Sequence, residues 1–116
     1  MTAAAGSAPE RLDAATLGAG PLGRRATLVQ FSTAFCQPCR ATRAVLAEVA
    51  TMVDGVAHQE IDAEARLDLV RALGVTGTPT VLVLDARGRV VRRATGQPRR
   101  VDVIAALGAA IDARPG

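Results

Sequence analysis

Apolar and β-branched residues fall in runs separated by glycine, proline and aspartate, and the runs switch between two periods. Ala26–Ser32 (ATLVQFS) is a short continuous run and predicts a buried strand. Beyond Cys36-Gln37-Pro38-Cys39 the spacing becomes helical. Ala41, Val45, Val49, Met52 and Val53 predict one inward face, stopped at Asp54-Gly55. Val56–Asp62 predicts a second strand. Residues 64–73 predict a second helix with Ala65, Leu69 and Leu73 inward, Glu64 at the positive end of its dipole and Gly74 as its stop. Residues 79–84 predict a strand that begins at Pro79, where a missing N–H does least harm. A turn over 85–88 brings 89–94 back as a hairpin strand. The last helix follows Pro98 and turns Val101, Ile104, Leu107, Gly108 and Ile111 inward.

The resulting order is strand, helix, strand, helix, strand, strand, helix. Helical crossovers predict three parallel strands, with the hairpin adding an antiparallel edge. This is an α/β class fold with helices on both faces of the sheet. Residues 1–23, rich in Ala, Gly and Pro, read as a flexible arm with one helical turn over 10–17, which leaves 24–113 as the domain.

With 116 residues the chain has the size of one domain, and 49% apolar residues can fill a core without staples. All 14 basic residues are Arg, which excludes a P-loop lysine and Schiff-base chemistry. One histidine, His58, and two cysteines cannot build a four-ligand zinc site from one chain, so no metal is expected. Phe31 and Phe35 are the only aromatics, too few for base-stacking platforms. The net charge of +3 is carried by Arg87, Arg89, Arg92, Arg93, Arg99 and Arg100, a stretch without an acid. That stretch coincides with the predicted hairpin and reads as a charged edge strand rather than a nucleic-acid surface. Residues 1–23 hold no apolar run of signal-peptide length, and no membrane span is visible. The expected compartment is the reducing cytoplasm, where a cysteine pair is more often catalytic than structural. A membrane-tethered form is expected only if sequence is missing upstream.

The chemistry concentrates at Cys36-Gln37-Pro38-Cys39, where a strand ends and a helix begins. A thiolate placed there meets free backbone N–H groups and the positive end of the helix dipole, which lowers its pKa. Residues three apart on a helix share a face at about 5 Å between Cα atoms, within disulfide reach. Pro38 suits the first turn, where its missing N–H costs nothing. Cys36 is therefore the exposed, activated sulfur and Cys39 its recessed partner. Two other readings stay open at this point. A structural staple is poorly motivated, because so small a ring removes little unfolded-state entropy. Half a metal site would need a second chain.

The segment LVQFSTAFCQPCR (28–40), followed some forty residues later by Gly77-Thr78-Pro79-Thr80, resembles the thioredoxin family. The resemblance implies a thioredoxin fold: a mixed central sheet with helices on both faces and a C-terminal antiparallel hairpin marked by Gly88 and Gly96. It implies a thiol–disulfide oxidoreductase in which Cys36 attacks, Cys39 resolves and Pro79 is cis and faces the disulfide. The Thr78 backbone would pair with an extended substrate, with Phe35, Gln37, Pro38 and Gly96 around it. No cofactor is implied. The implied partners are protein disulfide substrates and an upstream reductase or thiol donor, met by a monomer with no nucleic acid.

Departures from the family pattern bear on mechanism. Phe35 stands where Trp is usual, Gln37 where Gly is usual, and Ala44 at the helix-kinking proline. Gln30 replaces the buried acid and His58 the lysine that faces it. Gln30 cannot titrate near neutrality, so His58 is the expected candidate for the base that deprotonates Cys39. The uncharged Gln-Pro pair favours a reductant over a strong oxidant. The alternative is a redox-inactive or metal- or partner-binding module on the same fold.

Overall fold

The computed structural model describes residues 11–112. Its elements run α1 (Ala14–Leu17), β1 (Ala26–Ser32), α2 (Gln37–Met52), β2 (Val56–Asp62), α3 (Leu67–Leu73), β3 (Thr80–Asp85), β4 (Val90–Thr95) and α4 (Arg100–Asp112). They form one four-stranded sheet in the order β2-β1-β3-β4, so β1 is interior and buried along its whole length. β1 and β2 are parallel, with Leu28 opposite His58, Gln30 opposite Glu60 and Ser32 opposite Asp62.

The strand β3 corrects an expectation. It runs antiparallel to β1, with Phe31 opposite Thr80 and Ala26 opposite Asp85, whereas three parallel strands were predicted. The seven residues of α3 span about 10 Å, short of the roughly 23 Å of a seven-residue strand, and the loops on either side of it do not carry the chain back along the sheet. The chain re-enters from the end at which β1 finishes. That geometry brings the loop before β3 beside the loop after β1.

Each face of the sheet carries one apolar layer. Val29, Phe31, Ile61, Leu82 and Leu84 pack with Leu69 and Leu73 of α3 and with Leu12 and Leu17. On the opposite face, Ala26, Leu28, Val81 and Val83 meet Leu46 and Val49 of α2 and Val103, Leu107 and Ala110 of α4. The helices turn faces that periodicity did not specify. In α2 the buried stripe is Cys39, Thr42, Leu46 and Val49, and Met52 is 58% exposed. The helix starts at Gln37 with Cys39 inward, which sets the stripe by the active-site loop rather than by the densest apolar row. In α4, Val101 and Ile104 are exposed while Val103 is buried. That helix is apolar nearly all round, so its pattern cannot select an inner face. Residues 62–65 form a turn before α3, in which Asp62 Oδ1 accepts the Glu64 N–H at 2.9 Å, and Ala65 is exposed.

The segment expected to be a flexible arm instead packs on the domain from Arg11 onward. Leu12 and Leu17 are each 1% exposed. The Leu12 N–H reaches the Gly88 carbonyl at 2.8 Å. Gln59 Nε2 donates to the carbonyls of Gly20 and Pro21, and Arg66 to those of Thr16 and Leu17. Asp13 caps the short helix, accepting from the Thr16 N–H at 2.7 Å. Glu10 and residue 113, which the predicted turn and domain included, lie outside the described residues.

Of the Arg-rich stretch, Arg92 and Arg93 lie on an edge strand: among the described residues β4 pairs along its length with β3 alone, and Arg89 just before it bridges to Arg11. Several of its charges also brace the fold. Arg99 pairs with Asp102, Arg100 pairs with Glu48 across α2 and α4, and Arg93 donates to the Leu73 and Gly74 carbonyls at the end of α3.

Candidate active site

β1 carries Gln30 and Ser32 to the end of the sheet, and the chain then rises through Thr33, Ala34 and Phe35 to Cys36. Phe35 is fully exposed and holds a left-handed φ of +60°, a conformation bulky residues rarely adopt. Cys36 is the N-cap of α2, and its Sγ accepts the Cys39 N–H at 3.2 Å. Cys36 and Cys39 are joined by a disulfide with Cα atoms 5.1 Å apart. Cys36 is half-buried and Cys39 is 1% exposed, so the outer sulfur is the accessible one. Gln37 and Pro38 are exposed in the first turn. The Pro38 carbonyl accepts the buried Thr42 hydroxyl at 2.7 Å, which gives that buried hydroxyl its partner.

The loop before β3 forms the second wall. The Thr78–Pro79 peptide bond is cis. Thr33 Oγ1 and Thr78 Oγ1 are 3.0 Å apart and hydrogen-bonded, which ties the two loops together across 45 positions of sequence. The Gly96 N–H reaches the Pro79 carbonyl at 2.8 Å, and Thr80 Oγ1 donates to the Gly77 carbonyl at 2.6 Å. The structure therefore brings Thr78, Pro79 and Gly96 into one hydrogen-bonded unit. Thr33 belongs to it as well; a lone Thr in a loop carried no periodic signal to mark it.

Below the disulfide, Gln30 Nε2 donates to the Cys39 carbonyl at 2.8 Å and to Ser32 Oγ at 2.9 Å. In the register His58 lies opposite Leu28, one same-face pair further from the active-site end than Gln30, while Glu60 lies directly opposite Gln30. Burial pushes the His58 pKa below its ordinary value; the Glu60 charge opposes this and the Arg43 charge adds to it. Its Nε2 is buried without a hydrogen-bond partner. Arg43 Nε and Nη2 grip the Glu60 carboxylate at 2.8 and 2.7 Å. That fork holds the Glu60 carboxyl below its ordinary pKa, against a partial burial that raises it, and the Ser32 hydroxyl adds to the lowering. Ser32, Thr33, Ala34, Arg43, Glu60 and Asp62 line a polar recess of about 320 Å³ on this flank.

A disulfide whose outer sulfur caps a helix and whose inner sulfur is sealed in the core defines a thiol–disulfide oxidoreductase site. The sequence profile of the thioredoxin family matches residues 22–109. The chain belongs to the thioredoxin family. A search of curated protein sequences finds no match. Among solved structures, a mutant thioredoxin of Halobacterium salinarum is similar at 23% identity and a TM-score of 0.70, over 79% of this chain and 80% of that one. Chloroplastic thioredoxin z is similar at 25% identity and a TM-score of 0.65, over 73% and 77% of the two chains. Fasciola hepatica thioredoxin is similar at 20% identity and 0.65, over 76% and 83%. Members of the family act on protein disulfides, and these neighbours share the fold of this chain.

Proposed function

We propose that the protein is a protein-disulfide reductase that works in a reducing compartment such as the cytoplasm and is restored by an upstream reductase or thiol donor. Cys36 Sγ is the attacking atom. As a thiolate it forms a bond to one sulfur of a substrate disulfide, and the other substrate sulfur leaves with the electron pair and takes a proton. Cys39 then loses its proton and attacks Cys36 Sγ. The Cys36–Cys39 bond forms, the mixed disulfide breaks, and the second substrate thiol departs. A dithiol donor returns two electrons and two protons to restart the cycle.

The observation that carries this reading is the hydrogen bond from the Cys39 N–H to Cys36 Sγ at the N-terminus of α2, which favours negative charge on that sulfur. Gln37 and Pro38 add no charge or imidazole to stabilise the thiolate further, which supports a reductant. The Thr78 backbone pairs with an extended substrate chain, held in place by the Thr33 hydroxyl and by the Gly96–Pro79 bond. Phe35 offers an exposed apolar ring beside the attacking sulfur.

Equilibration against glutathione or dithiothreitol buffers tests the direction. A reduction potential of roughly −220 to −280 mV is expected, and one near −120 mV would make the protein an oxidase. A Cys39→Ser chain, unable to resolve, is expected to retain protein substrates as mixed disulfides through Cys36. Their absence, with metal bound instead, would favour a binding module.

A further inference from the structure

Gln30 lies on the central strand with no exposed surface. Chemistry settles how its carboxamide is turned. The Cys39 carbonyl oxygen only accepts hydrogen bonds, so the amide nitrogen must face it, as it does at 2.8 Å. The second N–H goes to Ser32 Oγ. Oε1 of the same planar group is then left buried with no donor. Buried acceptors without partners are costly and rare in native proteins, and each calls for a cause.

The other redox state supplies one. In the disulfide, Cys39 Sγ has no proton to give. Reduction by two glutathione molecules delivers two electrons and two protons, breaks the Cys36–Cys39 bond and releases glutathione disulfide. One of those protons then sits on Cys39 Sγ. Cys39 is sealed from solvent, so its S–H must find an acceptor inside the protein. The group that already grips the Cys39 backbone holds one in reserve. We propose that Gln30 Oε1 accepts the Cys39 S–H in the dithiol form, and that Gln30 thereby tips the redox equilibrium toward the reduced protein.

This assignment rests on the Cys36–Cys39 pair cycling as proposed above. It also gives Gln30 a sense opposite to that of an acid at the same place. An acid there can take the proton, whereas the amide keeps it on sulfur. The resting dithiol is held with Cys39 protonated, and Cys36 remains the attacking thiol.

The test replaces Gln30 by Met, which is close in volume, has no donor and offers only a weakly accepting thioether in place of the amide oxygen. The bonds donated to the Cys39 carbonyl and to Ser32 exist in both redox forms and drop out of the difference between them. The Oε1 bond exists only in the dithiol, so the potential reports it. In Gln30→Met the equilibrium constant against the glutathione couple is expected to move about fivefold toward the disulfide, a potential about 20 mV more negative for two electrons. An unchanged constant, or a shift toward the dithiol, overturns the assignment. A second measurement leaves Gln30 in place. In the reduced Cys36→Ala chain Cys39 is the only thiol, and its infrared S–H stretch is expected below the free-thiol frequency; a free-thiol frequency overturns the assignment. A native chain that fails to equilibrate with glutathione overturns the redox reading and this assignment together. A native chain that equilibrates beside a Gln30→Met variant of equal constant overturns this assignment alone.

Discussion

Arg93 looks, from sequence, like one more charge on an edge strand, yet its guanidinium holds the C-terminus of α3. Nη1 donates to the Leu73 carbonyl, and Nη2 to the Gly74 carbonyl at 2.7 Å. Two further carbonyls of that helix end are served by the backbone. The Val75 N–H goes to Val70 at 2.9 Å and the Gly74 N–H to Arg71 at 3.3 Å. Arg93 thus completes the cap that feeds the chain into the loop bearing Thr78 and Pro79. Replacing it by Met keeps the aliphatic stem and removes both bonds and the charge. A hydrogen bond from a charged donor is worth about 1.5–3 kcal/mol when shielded, and a cation at a helix C-terminus about 0.3–1 kcal/mol. Arg93 is an exposed residue, and solvent takes over part of each bond. A net loss of about 1–2 kcal/mol follows, or roughly 4–8 °C in Tm for a domain of this size. Arg89, on the same stretch, is the control: its side chain makes none of these bonds, and Arg89→Met is expected to stay within about 0.5 kcal/mol. Thermal unfolding is best followed by far-ultraviolet circular dichroism, because the chain has no Trp or Tyr. Equal Tm values for the two variants would show that Arg93 acts only as a deterrent to strand pairing.

Phe35→Gly removes a strained φ of +60° and a ring that is fully exposed, so relief of about 1–3 kcal/mol outweighs the roughly 0.5–1 kcal/mol backbone cost of glycine. Tm is expected to rise, and a fall would show that the ring contributes to folding. Gly88 and Gly96 both have left-handed φ, but a Cβ on Gly88 would strike the Leu12 carbonyl while one on Gly96 would meet open space. Gly88→Ala is therefore expected to cost at least about 1 kcal/mol more than Gly96→Ala in denaturant unfolding, and equal costs would refute the close approach. Burial lowers the His58 pKa below its unfolded value of 6.5, so the unfolded chain binds the proton more readily. The stability contribution is complete above about pH 6.5 and is lost as pH falls through the lower folded value; His58→Gln is expected to flatten the stability profile there. An unaltered profile would mean that His58 is solvated in the folded state.

Local chemistry made much of the fold legible in sequence. The strands Ala26–Ser32 and Val56–Asp62 end where the apolar pattern ends, because one is wholly buried and the other sits directly beside it. Cys36 and Cys39 were readable because a strand end, a proline and a helix start fix where each sulfur lies. The direction of β3 was not readable, since the 17 residues between β2 and β3 are long enough for either direction and periodicity does not choose between them. Neither was the inner face of α4, whose residues are apolar on several sides. Leu12 and Leu17 are core residues set among Ala, Gly and Pro, a composition that by itself suggests a loose arm. At the site, aligning His58 with a family position gave no sign that Glu60, gripped by Arg43, lies directly opposite Gln30 with His58 one same-face pair further along the strand. The Thr33–Thr78 bond joins residues too far apart in the chain for any spacing rule to connect.

The central claim is that Cys36, at the N-terminus of α2, is the attacking thiol and Cys39 is held in reserve beneath it. Brief treatment of the reduced chain with iodoacetamide at neutral pH, followed by peptide mass spectrometry, tests this directly. The account predicts that the first label appears on Cys36, whose thiolate is favoured by the helix N-terminus, and that Cys39 stays protected. Faster labelling of Cys39, or equal labelling of both, would contradict it.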